Sequence, residues 1–439
     1  MDKLVILLEK APNTRDYNYY DLVDRISSRY SVVLLVLFAV LVSMNQYVRN
    51  PITCWTPDHF SGGHTKYATS LCWVKNTYYL PWNETVPREH EHEKKQMIPY
   101  YQWVPFILVA QAVMFYLPSL VWHSFNSRAG VDADNILAAA HTFSMTDKVE
   151  TRDRTMKMLV QQLHRFLRSH NNDGKHNQRC CHCHCSTKRV GNYLVLIFLV
   201  SKLLYIANTV GQMFLLGKLL STRYLTFGFD LTKRLFDNQD WTEAHDVAFP
   251  RVTICDFKVR GQDMINPHPY TIQCVLPVNM YNEKIYIFLW YWIIFVFALS
   301  VLSFVVWFLR CLVASDREKF VKNHIIEASE MQRRQDKQAI EMKMDKKPRK
   351  IGSQTKLPQT YSGTDSGSSL ENIHLEADDM DKNIRRFSRS YLMQDGELIL
   401  RLIAHNTNHV TTTEVINELY RNWIPYDKQR RDKLGPTKI

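Results

Sequence analysis

Four long apolar stretches interrupt an otherwise polar chain of 439 residues. They cover residues 31–48, 102–123, 193–216 and 286–313. A helix of roughly 20 apolar residues crosses the hydrocarbon core of a bilayer, and each stretch approaches or exceeds this length. Tyrosine and tryptophan gather at the ends of the stretches, as is typical of residues at membrane interfaces. The pattern therefore predicts an all-α membrane protein with four transmembrane helices.

The polar segments between these stretches predict the rest of the organisation. Two of them, 124–192 and the tail 385–439, place apolar residues three and four positions apart, which predicts helices that form a small cytosolic dome. The segment 346–384 is rich in Lys, Ser, Gly, Thr and Asp, and we expect it to be a disordered linker. The other predicted segments are a cytosolic N-terminal segment (1–30), two outer loops (49–101 and 217–285) and a cytosolic helix (314–345).

Lysine and arginine determine the expected orientation. The chain carries a formal net charge of +12, and most of the excess lies before the first span, between the second and third, and after the fourth. Basic residues near span ends favour the cytosolic side of a membrane protein. We therefore expect both termini in the cytosol and the loops 49–101 and 217–285 outside. The charge indicates contact with anionic membrane lipids rather than with nucleic acid.

Four cysteines lie in the two outer loops, namely Cys54, Cys72, Cys255 and Cys274. Disulfides persist outside the cytosol, so the predicted fold includes disulfide-linked outer loops with a small β content. Four cysteines allow three pairings, and their spacing does not choose among them. The first loop also contains the sequon that begins at Asn83, which is either a glycan acceptor or a chance match.

A string of thiols and imidazoles precedes the third span. It comprises Cys180, Cys181, His182, Cys183, His184 and Cys185. These residue types bind zinc, but a tetrahedral site usually needs two separated ligand pairs, and no second pair lies nearby in the sequence. The alternatives are palmitoylation of cysteines beside a span and a reduced, solvated loop. We therefore predict neither a bound metal nor a cofactor.

Lys202 lies within the third apolar stretch, where an amine must face protein or water. It indicates either a water-filled pathway or a side chain that snorkels and makes hydrogen bonds between helices. No hydrolytic triad, P-loop or dinucleotide fingerprint is recognisable in the sequence. The loop 124–192 also lacks the Asp-His-His-Cys segment of membrane palmitoyltransferases. We therefore expect a protein that is not an enzyme.

Several motifs occur in the order of the predicted spans and loops. The first outer loop and the start of the second span carry Pro51-Ile52-Thr53-Cys54-Trp55, Cys72-Trp73-Val74 and Tyr100-Tyr101-Gln102-Trp103-Val104-Pro105-Phe106. The second loop carries Phe249-Pro250-Arg251-Val252-Thr253, Cys255-Asp256-Phe257 and Gln273-Cys274-Val275-Leu276-Pro277, with Asn279, Asn282, Glu283 and Lys284 beyond it. The tail carries Asp395-Gly396-Glu397 and Leu400-Arg401. Together these motifs resemble the innexin family, the gap-junction proteins of invertebrates.

The resemblance implies a subunit of a gap-junction channel in the plasma membrane. Eight innexin subunits, of one or several kinds, would surround a pore that passes ions and small molecules, and two such rings would dock between adjacent cells. The resemblance also implies the disulfides Cys54–Cys274 and Cys72–Cys255, and an N-terminal segment that lines the pore. Our pore-lining candidates are Asp2, Lys3 and Trp55. The alternative function is an unpaired hemichannel that releases small solutes, as in the related pannexins.

Overall fold

The computed structural model of the chain is mostly helical. It describes residues 21–48, 50–81, 97–126, 133–146, 148–172, 191–220, 224–237, 249–260, 268–345 and 379–434. In these residues the helices are α1 (Leu22–Tyr47), α2 (Gly62–Lys75), α3 (Val104–Asn126), α4 (Ala133–Met145), α5 (Val149–Asn172), α6 (Tyr193–Leu219), α7 (Tyr224–Phe236), α8 (Pro277–Leu312), α9 (Ala314–Asp345), α10 (Met393–Asn406) and α11 (His409–Leu434). The strands are β1 (Thr53–Trp55), β2 (Thr77–Tyr78), β3 (Met97–Ile98), β4 (Val252–Val259) and β5 (His268–Val275).

Four of these helices, α1, α3, α6 and α8, are long and apolar enough to cross a membrane. Together with the small sheet and two disulfides they confirm the predicted fold class. Residues 22–30 and 277–285, which the sequence assigns to polar segments, instead extend the helices of the first and fourth spans. Both extensions contain polar residues that hydropathy excludes from a span but that the protein buries, among them Asp24 and Asn282.

The chain divides into two compact units, each with its own apolar core. The sheet unit comprises the described residues within Leu22–Val121 and Ser201–Phe304. The tail unit comprises the described residues within Met1–Asp21, Trp122–Val200 and Val305–Ile439. Helices α3, α6 and α8 each contribute residues to both units.

The sheet unit contains an antiparallel sheet of five strands in the order β1-β5-β4-β2-β3. Strands β4 and β5 form a long hairpin that is paired from Val252 opposite Val275 to Val259 opposite His268. Strand β1 joins the other edge of β5, and β2 joins β4. Because β1–β3 come from the first predicted outer loop and the hairpin from the second, the two loops share one sheet.

The tail unit is built from helices of the loop 124–192 and of the tail. Helices α4 and α5 pack against α10 and α11 around buried side chains such as Leu163 and Leu400. The expectation of a disordered linker is wrong for residues 379–384, because residues 379–386 are helical and a π-helical turn, Phe387–Leu392, follows them. Ile384 and Phe387 are buried in the core, so apolar contacts order a segment that looks polar by composition.

Helix α7 lies close against α8 at Gly228. A Cβ atom at this position would lie 2.1 Å from Cε3 of Trp290, whose ring is buried and whose Nε1–H donates to the carbonyl oxygen of Tyr224 at 2.9 Å. We therefore expect Gly228→Ala to lower the free energy of unfolding by about 1–3 kcal/mol, because overpacking forces the ring or the helix to move. Thermal unfolding of the purified protein in detergent measures the change.

The matched control is Gly211→Ala in α6, where no atom lies within 4 Å of the added Cβ. Alanine is favoured over glycine in a helix by up to about 1 kcal/mol, so this variant should be neutral or stabilised. Equal effects of the two substitutions would contradict the close packing of α7 on α8.

Candidate functional site

Two disulfides join the two predicted outer loops. Cys54 of β1 is bonded to Cys274 of β5, its direct partner in the strand register, and Cys72 of α2 is bonded to Cys255 of β4. These are the pairs that the family resemblance implies. The bonds link residues that are 220 and 183 positions apart, so each removes much conformational freedom from the unfolded chain and is worth of the order of 2–4 kcal/mol. We call β1–β5 together with α2 the disulfide head.

The four cysteines are buried in the disulfide head. The sulfur atoms of Cys54, Cys72 and Cys274 lie within 4.8 Å of one another, a spacing that a metal site could use. All three are consumed by disulfides, however, and an oxidised sulfur is not a thiolate ligand. The cluster is therefore a covalent core.

The Tyr-Tyr-Gln-Trp motif ties α1 and α2 to the start of α3. Tyr101 is buried, and its carbonyl oxygen accepts a hydrogen bond from Nε2 of Gln46 at 2.7 Å. The carbonyl oxygen of Trp73 accepts from the Tyr101 hydroxyl at 3.3 Å and also from the Gln102 amide. Burial raises the pKa of Tyr101 to about 12, so this hydroxyl stays protonated and remains a donor. The motif thus has a structural role at the base of the head.

The second-loop motif attaches the long hairpin to the start of α8. Glu283 is fully buried and accepts from Nη2 of Arg251 at 2.9 Å. Asn279 donates through Nδ2 to the carbonyl oxygen of Pro250 at 2.8 Å, and the N–H of Leu276 donates to the carbonyl oxygen of Arg251 at 2.8 Å. These contacts join residues from both ends of the motif.

Several candidate residues from the sequence fall outside the described residues. They are Asp2, Lys3 and Asn83, together with the string Cys180, Cys181, His182, Cys183, His184 and Cys185. Trp55 is described, and 81% of its surface is exposed on β1, beside the buried Cys54. The structure therefore brings four of the candidates, the loop cysteines, into one cluster with Trp55 at its surface.

Among the residues that the structure describes, the side chain of Lys202 is enclosed by protein and does not face an open pathway. It is 2% exposed, and its Nζ lies 2.8 Å from the carboxylate of Asp24 in α1 and 2.9 Å from Oγ of Ser303 in α8. The cluster therefore connects three of the four candidate spans. Sequence reasoning missed Asp24 as the partner, although an acidic residue seven positions before the first apolar stretch was a usable signal.

The tail motif Asp395-Gly396-Glu397 begins with a cap on the third span. Oδ1 of Asp395 accepts from the N–H of Val195 at 3.0 Å, and the N–H of Asp395 donates to the carbonyl oxygen of Gly191 at 3.0 Å. The first N–H groups of a helix lack partners within it, and a carboxylate there also favours the helix dipole. Asp395 therefore caps α6 although it lies about 200 residues away in sequence.

The rest of α10 contacts segments beside the first and fourth spans. Glu397 pairs with Arg401 at 2.8 Å and with Arg317, shortly after α8, at 3.5 Å. Asp21, just before α1, accepts from Nε1 of Trp307 at 3.1 Å and pairs with Nε2 of His405 at 3.2 Å. One tail helix therefore touches chain segments that adjoin the first, third and fourth spans.

Removal of the Asp395 cap should loosen the start of α6. We expect Asp395→Ala to lower the free energy of unfolding by about 0.5–2 kcal/mol. Asp395→Asn should lower it much less, because an amide oxygen can still accept the hydrogen bond from the N–H of Val195. Hydrogen exchange of peptides that cover residues 191–195 measures the local effect. The control is Asp432→Ala on an exposed part of α11, and equal exchange in the two alanine variants would contradict the cap.

Glu397 should make the stability of the tail unit depend on pH near neutrality. Burial raises its pKa from 4.5 to about 7, because Arg401 and Arg317 offset the desolvation only in part. The folded state then binds the proton more tightly than the unfolded state. Protonated Glu397 therefore contributes to the free energy of unfolding below pH 4.5, and this contribution is lost as the pH rises through about 7. Unfolding midpoints between about pH 5 and pH 8 should fall more steeply for the wild type than for Glu397→Gln.

The control for this pH dependence is Glu414→Gln, which alters a half-exposed ion pair with Arg152 in the same unit. That variant should follow the wild-type pH profile in shape. A Glu397→Gln profile parallel to the wild type would show that the buried carboxyl does not titrate in this range.

Comparison with known proteins agrees with the geometry. A family model described as Innexin matches residues 20–423. Innexin unc-9 of Caenorhabditis elegans is 29% identical over 404 residues, which cover 92% of each chain. Innexin-3 of the same organism is 31% identical over 403 residues, covering 91% of this chain and 83% of the relative. Innexin-19 of Caenorhabditis briggsae is 28% identical over 421 residues, covering 94% and 89%.

The match confirms the family that the motifs in the loops, the second span and the tail indicate. Membership points to a channel protein without enzymatic activity, located in the plasma membrane and assembled with other innexins. This chain belongs to the innexin family, which implies that it is a subunit of a gap-junction channel.

Proposed function

We propose that eight copies of this chain, alone or with other innexins, surround a pore, and that two such rings dock to pass ions and small molecules between adjacent cells. The observation that carries the proposal is the disulfide head, in which both predicted outer loops share one sheet and two covalent links. Association is weakened by the cost of ordering loops at an interface. A head that is ordered before docking avoids that cost.

The exposed surface of the head supports a docking role. Trp55, Tyr67 and Val74 are large apolar residues with most of their surface exposed, although each lies close to a buried cysteine in sequence. Tryptophan and tyrosine are enriched at the centres of protein interfaces because they bury a large area at low entropic cost. Trp55, which the structure describes, is therefore our candidate for a residue at the pore or at the docking face. Asp2 and Lys3 are our candidates for residues that line the cytosolic entrance of the pore.

The topology that suits this function has both termini in the cytosol and the disulfide head outside. It is supported by the distribution of lysine and arginine around the spans and by the need of disulfides for an oxidising compartment. An aqueous lumen would be formed between subunits, since the bundle of one subunit fills its own interior with packed side chains such as Leu108 and Ile293. The narrowest ring of side chains would then set selectivity.

Loss of one disulfide should abolish coupling without abolishing delivery to the cell surface. In paired cells we expect Cys54→Ser/Cys274→Ser to reduce junctional conductance at least tenfold, because β1 is then held to β5 by hydrogen bonds alone. The double variant leaves no orphan thiol. Cys311→Ala, which removes a buried cysteine outside both disulfides, is the control and should couple normally.

Surface biotinylation separates this result from failed delivery. Wild-type protein that reaches the surface of both cells and never couples them would refute the junctional proposal. Coupling by the double variant at the wild-type level would instead refute the role of the disulfide.

The second candidate function is an unpaired hemichannel that releases small solutes. The sequon Asn83-Glu84-Thr85 in the first outer loop favours it, because a glycan on the docking face would keep two rings apart. Mass spectrometry of the mature protein decides between the two: an occupied Asn83 with conductance in single membranes supports the hemichannel, and an unmodified Asn83 with coupled cells supports the junction.

A further inference from the structure

Helix α7 in the second predicted outer loop carries an exposed apolar stripe. Leu225, Phe229 and Phe236 are all exposed, Phe229 by 63% and Phe236 by 82%. At 100° per residue these three positions fall within about 40° of the helix circumference. Their alignment places all three apolar side chains on one side of the helix, with Thr232 between Phe229 and Phe236.

The other two faces of α7 differ from this stripe. Tyr224 and Gly228 lie roughly 100° around the helix from this stripe and are buried against α8. Thr226, Asp230 and Lys233 are exposed and form a polar stripe directly beside the apolar one. A helix with one protein-facing, one apolar and one charged face is typical of a helix that lies in a membrane interface.

The contacts of α7 place it where the second span begins. The Tyr224 hydroxyl donates to the carbonyl oxygen of Tyr286 at 2.7 Å. The ring of Tyr286 stacks on Phe249 at 5.7 Å, and Phe249 meets Tyr100, shortly before α3, at 5.9 Å. Aromatic residues at the start of a span mark the edge of the hydrocarbon core. Helix α7 therefore packs beside the start of the fourth apolar stretch, at the level where such aromatic residues are expected to meet the membrane interface.

The apolar stripe also continues into an exposed face of the fourth span. Tyr291 of α8 shares a hydrogen bond with Thr232 of α7 at 2.7 Å, and its ring is exposed. Phe288 and Phe295, three and four residues away on α8, are exposed on the same face. An aqueous lumen favours polar residues, so an aromatic face of this kind is typical of contact with lipid.

We propose that α7 is an interfacial helix whose stripe of Leu225, Phe229 and Phe236 inserts into the outer leaflet, with Lys233 beside the lipid phosphates. The inference rests on the proposed topology, because that topology puts the second loop outside the cell. The lipid surface would hold the start of the second loop at a fixed depth and so orient the disulfide head that follows in the chain. Lipid, rather than a neighbouring subunit, is the partner to which the stripe is assigned.

Photocrosslinking identifies the partner directly. The full chain is assembled in phosphatidylcholine nanodiscs with Phe229→benzoylphenylalanine, which preserves a large aromatic side chain, and a parallel sample carries Phe236→benzoylphenylalanine in case the first variant does not fold. We expect adducts of one phospholipid mass at both positions. The control is Asp230→benzoylphenylalanine on the polar stripe, where the lipid adduct should be at least fivefold weaker.

Two results overturn the proposal. A crosslink between two copies of the chain would show that a neighbouring subunit covers the stripe, and the absence of both adducts would show that it faces water. Junctional conductance measured in paired cells separates this inference from the proposed function. Lipid adducts in a protein that never couples cells would leave α7 at the membrane and refute the junction, whereas coupling with a chain-to-chain crosslink would refute the lipid contact.

Discussion

The covalent connection between the two outer loops is the constraint on which the disulfide head depends. Strand β1 has three residues and β2 and β3 have two each, so these strands alone offer few hydrogen bonds. The bonds Cys54–Cys274 and Cys72–Cys255 hold β1 and α2 against the long hairpin β4–β5. Short strands then become a stable sheet because the links remove alternative arrangements of the loops from the unfolded ensemble. The motifs at Tyr101 and Glu283 anchor this sheet to the starts of α3 and α8.

Partners for buried polar groups organise the helices in a similar way. An isolated charge in an apolar interior is very unfavourable, so Lys202 requires a carboxylate that neutralises it, Asp24, and a hydroxyl that accepts a hydrogen bond from it, Ser303. In the tail unit the same logic applies at helix ends, where Asp395 satisfies the N–H of Val195. Glu397 shows the limit of such pairing, since burial raises its pKa to about 7 despite two arginines. Buried polar contacts here restrict which segments of the chain can pack together, because each buried group requires a partner.

Much of the fold could be predicted from local patterns. The four spans follow from the length of apolar runs, and the helices of the tail from apolar residues three and four positions apart. The errors fall where tertiary contacts overrule composition. Residues 379–384 look like linker, yet Ile384 enters the tail core, and residues 22–30 look polar, yet Asp24 is neutralised inside the sheet unit. The exposed stripe of α7 was also invisible, because nothing in its sequence tells which apolar residues α8 will cover.

The sequence by itself determined the number of spans, the family and the chemistry available in each loop, because these depend on residue type and spacing along one chain. The tertiary structure decided which distant residues meet. Cys54 lies opposite Cys274 because of the register in which β1 pairs with β5. Asp395 caps the third span although the two are about 200 residues apart in the sequence. Such contacts depend on how helices and strands pack together, and the number of residues between two elements does not tell how close they lie in the folded protein. For that reason the sequence alone did not identify the partners of Lys202. They are determined by the packing of α1, α6 and α8, which brings Asp24 and Ser303 to its amine.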